Sequence, residues 1–141
     1  MTNLLEPLLA YTPYLALAIR VPVGLSLVLH GYPKTKKEGL VGARGFTEKM
    51  MKVPAAAANV AAVLEFVGGL LLVVGFIVPV VALFFVLFFA SITIVKKTRM
   101  GGIYFGQGKP TYEIDVMYAL VALVLLFLGA GAISIDSLLG L

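Results

Sequence analysis

Two charged residues stand alone in long apolar stretches, and chemistry is expected there first. Arg20 interrupts an apolar run from about Leu8 to Gly31, and Glu65 is the single charge between Val53 and Val95. An isolated charge at mid-bilayer costs at least about 2.5–3.5 kcal/mol, so a membrane chain keeps one there for a purpose. A guanidinium and a carboxylate can form an ion pair, hydrogen-bond a ligand oxygen, or exchange a proton. His30 is the only histidine, a residue type able to exchange a proton near neutral pH. With Glu113 or Asp115 it can relay a proton.

The composition says what must position these groups. Of the 141 residues, 61% are hydrophobic and 13% are charged. The mean hydropathy is +1.07. A soluble domain is about a quarter charged, so this chain has too few charges to cover a water-facing surface. An integral membrane protein fits; a soluble enzyme, a disordered tail and a nucleic-acid-binding domain do not. With no cysteine, thiol nucleophiles, disulfide relays and cysteine-ligated clusters are excluded.

A span needs roughly 20 apolar residues. Four segments qualify, at about 8–31, 54–75, 80–95 and 114–132, which predicts an all-α, polytopic four-helix transmembrane bundle in a single domain. The run from Val53 to Val95 must fold back, since one helix of that length would cross roughly two bilayers. Gly75 to Pro79 is the segment suited to the reversal. Nothing resembles a signal peptide, because no basic residue precedes Arg20.

Loops 33–52 and 96–112 hold every Lys and Arg except Arg20. The positive-inside rule then puts both loops in the cytoplasm and both termini outside, in a multi-pass cell-membrane protein. The opposite side shows Glu6, an uncharged turn and Asp136. Topology and anionic headgroups account for the basic surface, and no aromatic pattern points to nucleic acid.

Arg20 and Glu65 each lie near the middle of a predicted span, on antiparallel neighbours. Similar depth implies an Arg20–Glu65 ion pair, or both groups on one polar cavity. Ala57, Ala61, Glu65 and Gly69 recur every four residues, a stripe that lets helices approach closely in lipid. A structural ion pair and a mid-membrane ligand or proton site are both consistent with this pattern. A second polar group gathers His30, Lys34, Lys96, Glu113 and Asp115 toward the cytoplasmic ends, with Tyr32, Tyr104 and Tyr112 nearby. One histidine supplies no His-rich metal site, and no metal is expected. The loop from Gly101 to Pro110 lacks a Walker ending. Ser134 and Asp136 suit a local helix cap, and Phe84, Phe85, Phe88 and Phe89 suit lipid-facing or core packing.

In order along the chain, Arg20, Gly24, His30-Gly31 and Lys34, then Glu65, Gly68-Gly69 and Gly75, then Glu113, then Gly129-Ala130-Gly131-Ala132-Ile133-Ser134-Ile135-Asp136 resemble the DoxX-like membrane proteins. The family often has a basic residue where Ala132 stands. The resemblance implies a four-helix membrane bundle. The related DoxD group is similar to the quinone-reducing part of a thiosulfate:quinone oxidoreductase, and other relatives are associated with membrane oxidoreductase complexes. More distant ones act in assembly or cargo handling.

The expectation is therefore a membrane subunit of a redox system, with a partner oxidoreductase subunit, binding a quinone or another lipophilic small molecule. Arg20 would hydrogen-bond a ligand oxygen and Glu65 would balance the charge or exchange a proton. His30 with Glu113 would connect that site to the cytoplasm. The alternatives are a non-enzymatic scaffold or assembly factor and a small-molecule transporter acting as a homodimer.

Overall fold

The computed structural model describes residues 11–141; the start of the first predicted span, residues 8–10, and Glu6 lie outside them. Six helices follow in order. They are α1 (Thr12–Thr35), α2 (Lys37–Lys49), α3 (Ala56–Val74), α4 (Val78–Arg99), α5 (Glu113–Leu128) and α6 (Ile135–Leu139). Among the described residues the fold is all-α, and the one extended pairing is an isolated bridge between Ile103 and Thr111.

Three departures from the expected spans matter for the site. First, α1 continues past Gly31 to Thr35. Pro33 lies in its last turn and, lacking an N–H, leaves the Leu29 carbonyl without its usual helical donor. Second, the charged stretch read as a loop contains a helix. Along α2 and its C-cap, Leu40, Ala43, Phe46, Thr47 and Met50 recur at three- and four-residue spacing, a helical period that gives one mostly apolar side. Third, the last span is shorter than expected. Gly129 adopts φ +74°, so α5 stops at Leu128 and Ala130 to Ala132 are not helical.

Gly75 takes a left-handed φ of +72° and ends α3, and α4 begins at Val78 with Pro79 in its first turn. The reversal falls where the sequence places it. Within α3, Leu64–Gly68 forms a π-helical turn.

Helix α1 packs along α3, and α4 along α5. The α1–α3 approach is very close. A Cβ at Gly24 would lie 2.7 Å from the Gly69 carbonyl oxygen, and one at Gly31 would lie 2.5 Å from the Phe66 nitrogen. Leu27, Leu72, Val78, Ala82, Phe85 and Leu125 fill the centre. Large apolar residues also point outward, with Phe127 83% and Leu29 73% exposed, as expected where lipid rather than water surrounds the bundle. Helices α1, α3 and α4 are long and apolar enough to cross a membrane. With 16 residues, α5 is roughly 24 Å long.

Candidate functional site

The α1–α3 register separates the two charges that the sequence sets at equal depth. Gly31 faces Glu65 and Phe66, while Gly24 faces Gly69 and Val73. Arg20 is eleven residues before Gly31, hence roughly 16 Å away along the axis. The expected Arg20–Glu65 ion pair is not formed. Each charge has its own partners at its own end of the bundle.

Arg20 is 1% exposed. Its Nε donates to the Ala130 carbonyl at 3.1 Å, and Nη1 donates to the Leu72 carbonyl at 2.8 Å. Nη1 also reaches the Val73 carbonyl, and Nη2 the Ile133 carbonyl. Leu72 and Val73 belong to the last turn of α3, whose free carbonyls favour a cation. The guanidinium thus caps α3 and pins the segment after α5 to it.

Asp136 completes this end. Its Oδ1 accepts from the Ile77 amide at 2.6 Å and its Oδ2 from the Val78 amide at 2.9 Å, which caps the start of α4. Ser134 caps α6, with Oγ accepting from the Ser137 amide at 3.0 Å and donating to the Gly131 carbonyl at 2.7 Å. The local cap expected from Ser134 and Asp136 is therefore half local: Asp136 reaches across to another helix. The ending Gly-x-Gly-x-x-Ser-x-Asp is a clasp between α1, α3 and α4. The guanidinium donates to four carbonyls, which ties α1 to the end of α3 and to the segment after α5.

Glu65 lies at the other end, in the π-helical turn. Its Oε2 accepts from Lys34 Nζ, which α1 carries because it extends beyond Gly31. A second pair joins Lys96 Nζ to Asp115 Oδ2 at 2.6 Å, and Lys96 also donates to the Thr111 carbonyl at 3.3 Å. Both pairs line one cavity of about 480 Å³, walled by Phe46, Met51, Phe88 and Ile92, with Gly42 of α2 at its edge. This volume is within the usual range for small-molecule sites. Four charges of balanced sign stand against an apolar wall and place hydrogen-bond donors and acceptors in one space.

Of the residues singled out beforehand, Glu65 enters this cavity and Arg20 does not. His30 is exposed on α1, its Nδ1 2.8 Å from the Ser26 carbonyl of the preceding turn. Glu113 opens α5, half-buried; neither residue lines the cavity. The sequence groups Lys34, Lys96 and Asp115 by depth without pairing them. Pairing them needs the extra turn of α1 and the α4–α5 contact.

The phenylalanine run of α4 fills both expected roles and adds a third. Phe85 and Phe89 are core, Phe84 is exposed, and Phe88 lines the cavity. The glycine-rich stretch after α4 folds back through the Ile103–Thr111 bridge and a Tyr104–Tyr112 edge contact, with ring centroids 5.8 Å apart.

No curated protein and no solved structure matches the chain. The DoxX family model matches residues 15–97, more than half of the chain, from the start of α1 almost to the end of α4. Arg20, Lys34, Glu65 and Lys96 fall inside the match, and Asp115 and the clasp ending lie beyond it. With helices apolar and long enough to span a bilayer, this is an integral membrane protein, and it belongs to the DoxX family.

Proposed function

We propose that this chain is a four-span subunit of a redox-linked membrane complex, and that it binds a quinone or another lipophilic small molecule in the cavity beneath α2. The observation that carries the reading is the convergence of Lys34–Glu65 and Lys96–Asp115 on one mostly apolar space. A ligand carbonyl would accept from Lys34 or Lys96. A ligand hydroxyl would donate to Glu65 or Asp115, and Phe46 and Phe88 would hold a ring. Electrons would come from a partner oxidoreductase subunit. Arg20 supports this site from a distance by holding α1, α3 and α4 together.

In this reading α5 is the fourth span, with the Gly129–Ser134 segment and α6 carrying the chain the rest of the way. The cavity end faces the cytoplasm, because residues 33–52 and 96–112 hold every Lys and Arg but Arg20. His30 and Glu113 flank that end and would pass protons between cavity and water.

Binding of a short-chain ubiquinone to the purified protein in nanodiscs tests the proposal. The comparison is wild type against Glu65→Gln, Lys96→Met and Gly42→Leu. A Cβ at Gly42 meets nothing within 4 Å, so leucine there obstructs the cavity without a clash. At least tenfold weaker binding in all three is expected. Equal affinity in all four proteins, with folding intact, rejects the site.

A second reading has its own support: the four cavity charges are already paired within the protein. That is what a scaffold or assembly factor needs, since paired charges can fix helix register without serving a ligand.

A further inference from the structure

We infer that the cavity selects a neutral lipophile that donates two hydrogen bonds, such as a diphenol, over one that only accepts them, such as the matching quinone; this rests on the cavity being the ligand site proposed above. Each ion pair uses one oxygen of its carboxylate. Lys34 Nζ donates to Glu65 Oε2, and Lys96 Nζ donates to Asp115 Oδ2. Among the described residues, Glu65 Oε1 and Asp115 Oδ1 accept from no protein group. Glu65 and Asp115 are each 7% exposed, and both line the cavity. Two nearly buried acceptors are thus offered to whatever occupies that space.

The spare donors of the lysines stand differently. The Lys34 and Lys96 side chains are 30% and 21% exposed, against 9% and 11% for their carboxylate partners. Their remaining N–H groups reach water more readily, and Lys96 already gives a second one to the Thr111 carbonyl. A ligand that offers only acceptors therefore adds little for the lysines. It also shuts water away from two carboxylate oxygens without replacing the hydrogen bonds, which lowers affinity, most of all at a charged acceptor. A ligand hydroxyl instead makes a charge-assisted bond, stronger than a neutral one.

Charge and shape narrow the class further. The two pairs sum to zero, and Phe46, Met51, Phe88 and Ile92 supply much of the remaining wall. An anion or a cation would bring an uncompensated charge against these apolar side chains, so the occupant is neutral. Phe46 and Phe88 suit a ring. Glu65 sits in the π-helical turn Leu64–Gly68, a local departure from α-helix that is frequent at functional sites.

The test is binding of three probes to the protein in nanodiscs, under nitrogen: a short-chain ubiquinol, the ubiquinone of the same chain length, and the dimethyl ether of that ubiquinol. Ring and tail are shared, and only the ubiquinol donates. It should bind at least about tenfold tighter than ubiquinone, and the diether no tighter than ubiquinone. Asp115→Asn and Glu65→Gln each put an amide in place of a carboxylate and should narrow the ubiquinol-to-ubiquinone ratio at least about threefold. A smaller ratio in wild type overturns the selectivity, as does a diether that binds like ubiquinol, or a ratio unchanged by either variant. In each of these cases measurable ubiquinone binding leaves the cavity reading standing. No binding of any probe rejects the cavity as a ligand site, and the selectivity with it.

Discussion

Arg20 and Asp136 sit on the two sides of one turn with opposite tasks. The guanidinium takes the last carbonyls of α3, and the carboxylate takes the first amides of α4. A helix ends partly negative and begins partly positive, so each charge meets the pole it favours. The hairpin at Gly75–Ile77 is held from both flanks, and the segment Ala130–Asp136 supplies one of the two charges and two of the carbonyls.

Replacing Arg20 should therefore harm folding more than chemistry. Arg20→Ala leaves four carbonyls short of a donor in a buried place, and a loss of about 3 kcal/mol or more is expected. Arg20→Lys should recover only part of it, because one ammonium cannot span the set. Thermal unfolding in detergent is the measurement. An unchanged midpoint for Arg20→Ala contradicts the anchor.

Asp136→Asn should cost about 1–2 kcal/mol, in the range of a lost N-terminal cap. One side of the amide would then present a donor to an amide N–H. Combined with Arg20→Lys, the losses should be non-additive by about 0.5–3 kcal/mol, since both act on one hairpin. Strict additivity would mean that the two charges hold independent structures.

Gly75→Ala should destabilise by more than about 1 kcal/mol. At φ +72° the new Cβ would stand 2.6 Å from Ser134 Cβ and 2.8 Å from Arg20 Cζ. Disturbance of the clasp should appear as faster proteolysis near the end of the chain, measured beside wild type.

For the cavity, Glu65→Leu should cost about 1–3 kcal/mol because it leaves Lys34 without its partner. Lys34 reaches solvent, which keeps the loss below that of a fully buried pair. Adding Lys34→Met should return most of the stability. The double variant then separates the two functional readings. Retained activity of the partner complex supports the scaffold, and loss of ubiquinone binding with retained folding supports the ligand site.

The apolar runs made three spans and the Gly75–Pro79 reversal legible, because hydropathy and a glycine with left-handed φ act locally. The pairing of Arg20 was not legible. Its position near mid-run suggests a depth, but helix register comes from Gly24, Gly31 and Gly69 meeting across α1 and α3, and each of these glycines is ordinary in isolation. Helix α2 was hidden by its charges, which read as loop until Leu40, Ala43, Thr47 and Met50 are placed on one side. Gly129–Asp136 was visible as a family signature, and its spacing alone did not reveal which carbonyls it would offer to a residue more than a hundred positions earlier.

That sequence distance bears on how the chain is made. Arg20 enters the bilayer with α1, yet Ala130 and Ile133 are made more than a hundred residues later. Until they appear, the nascent helix carries a cation that lacks two of its four acceptors. A chain cut short before Ala130 would keep that incomplete coordination permanently, a defect that membrane quality-control proteases could detect.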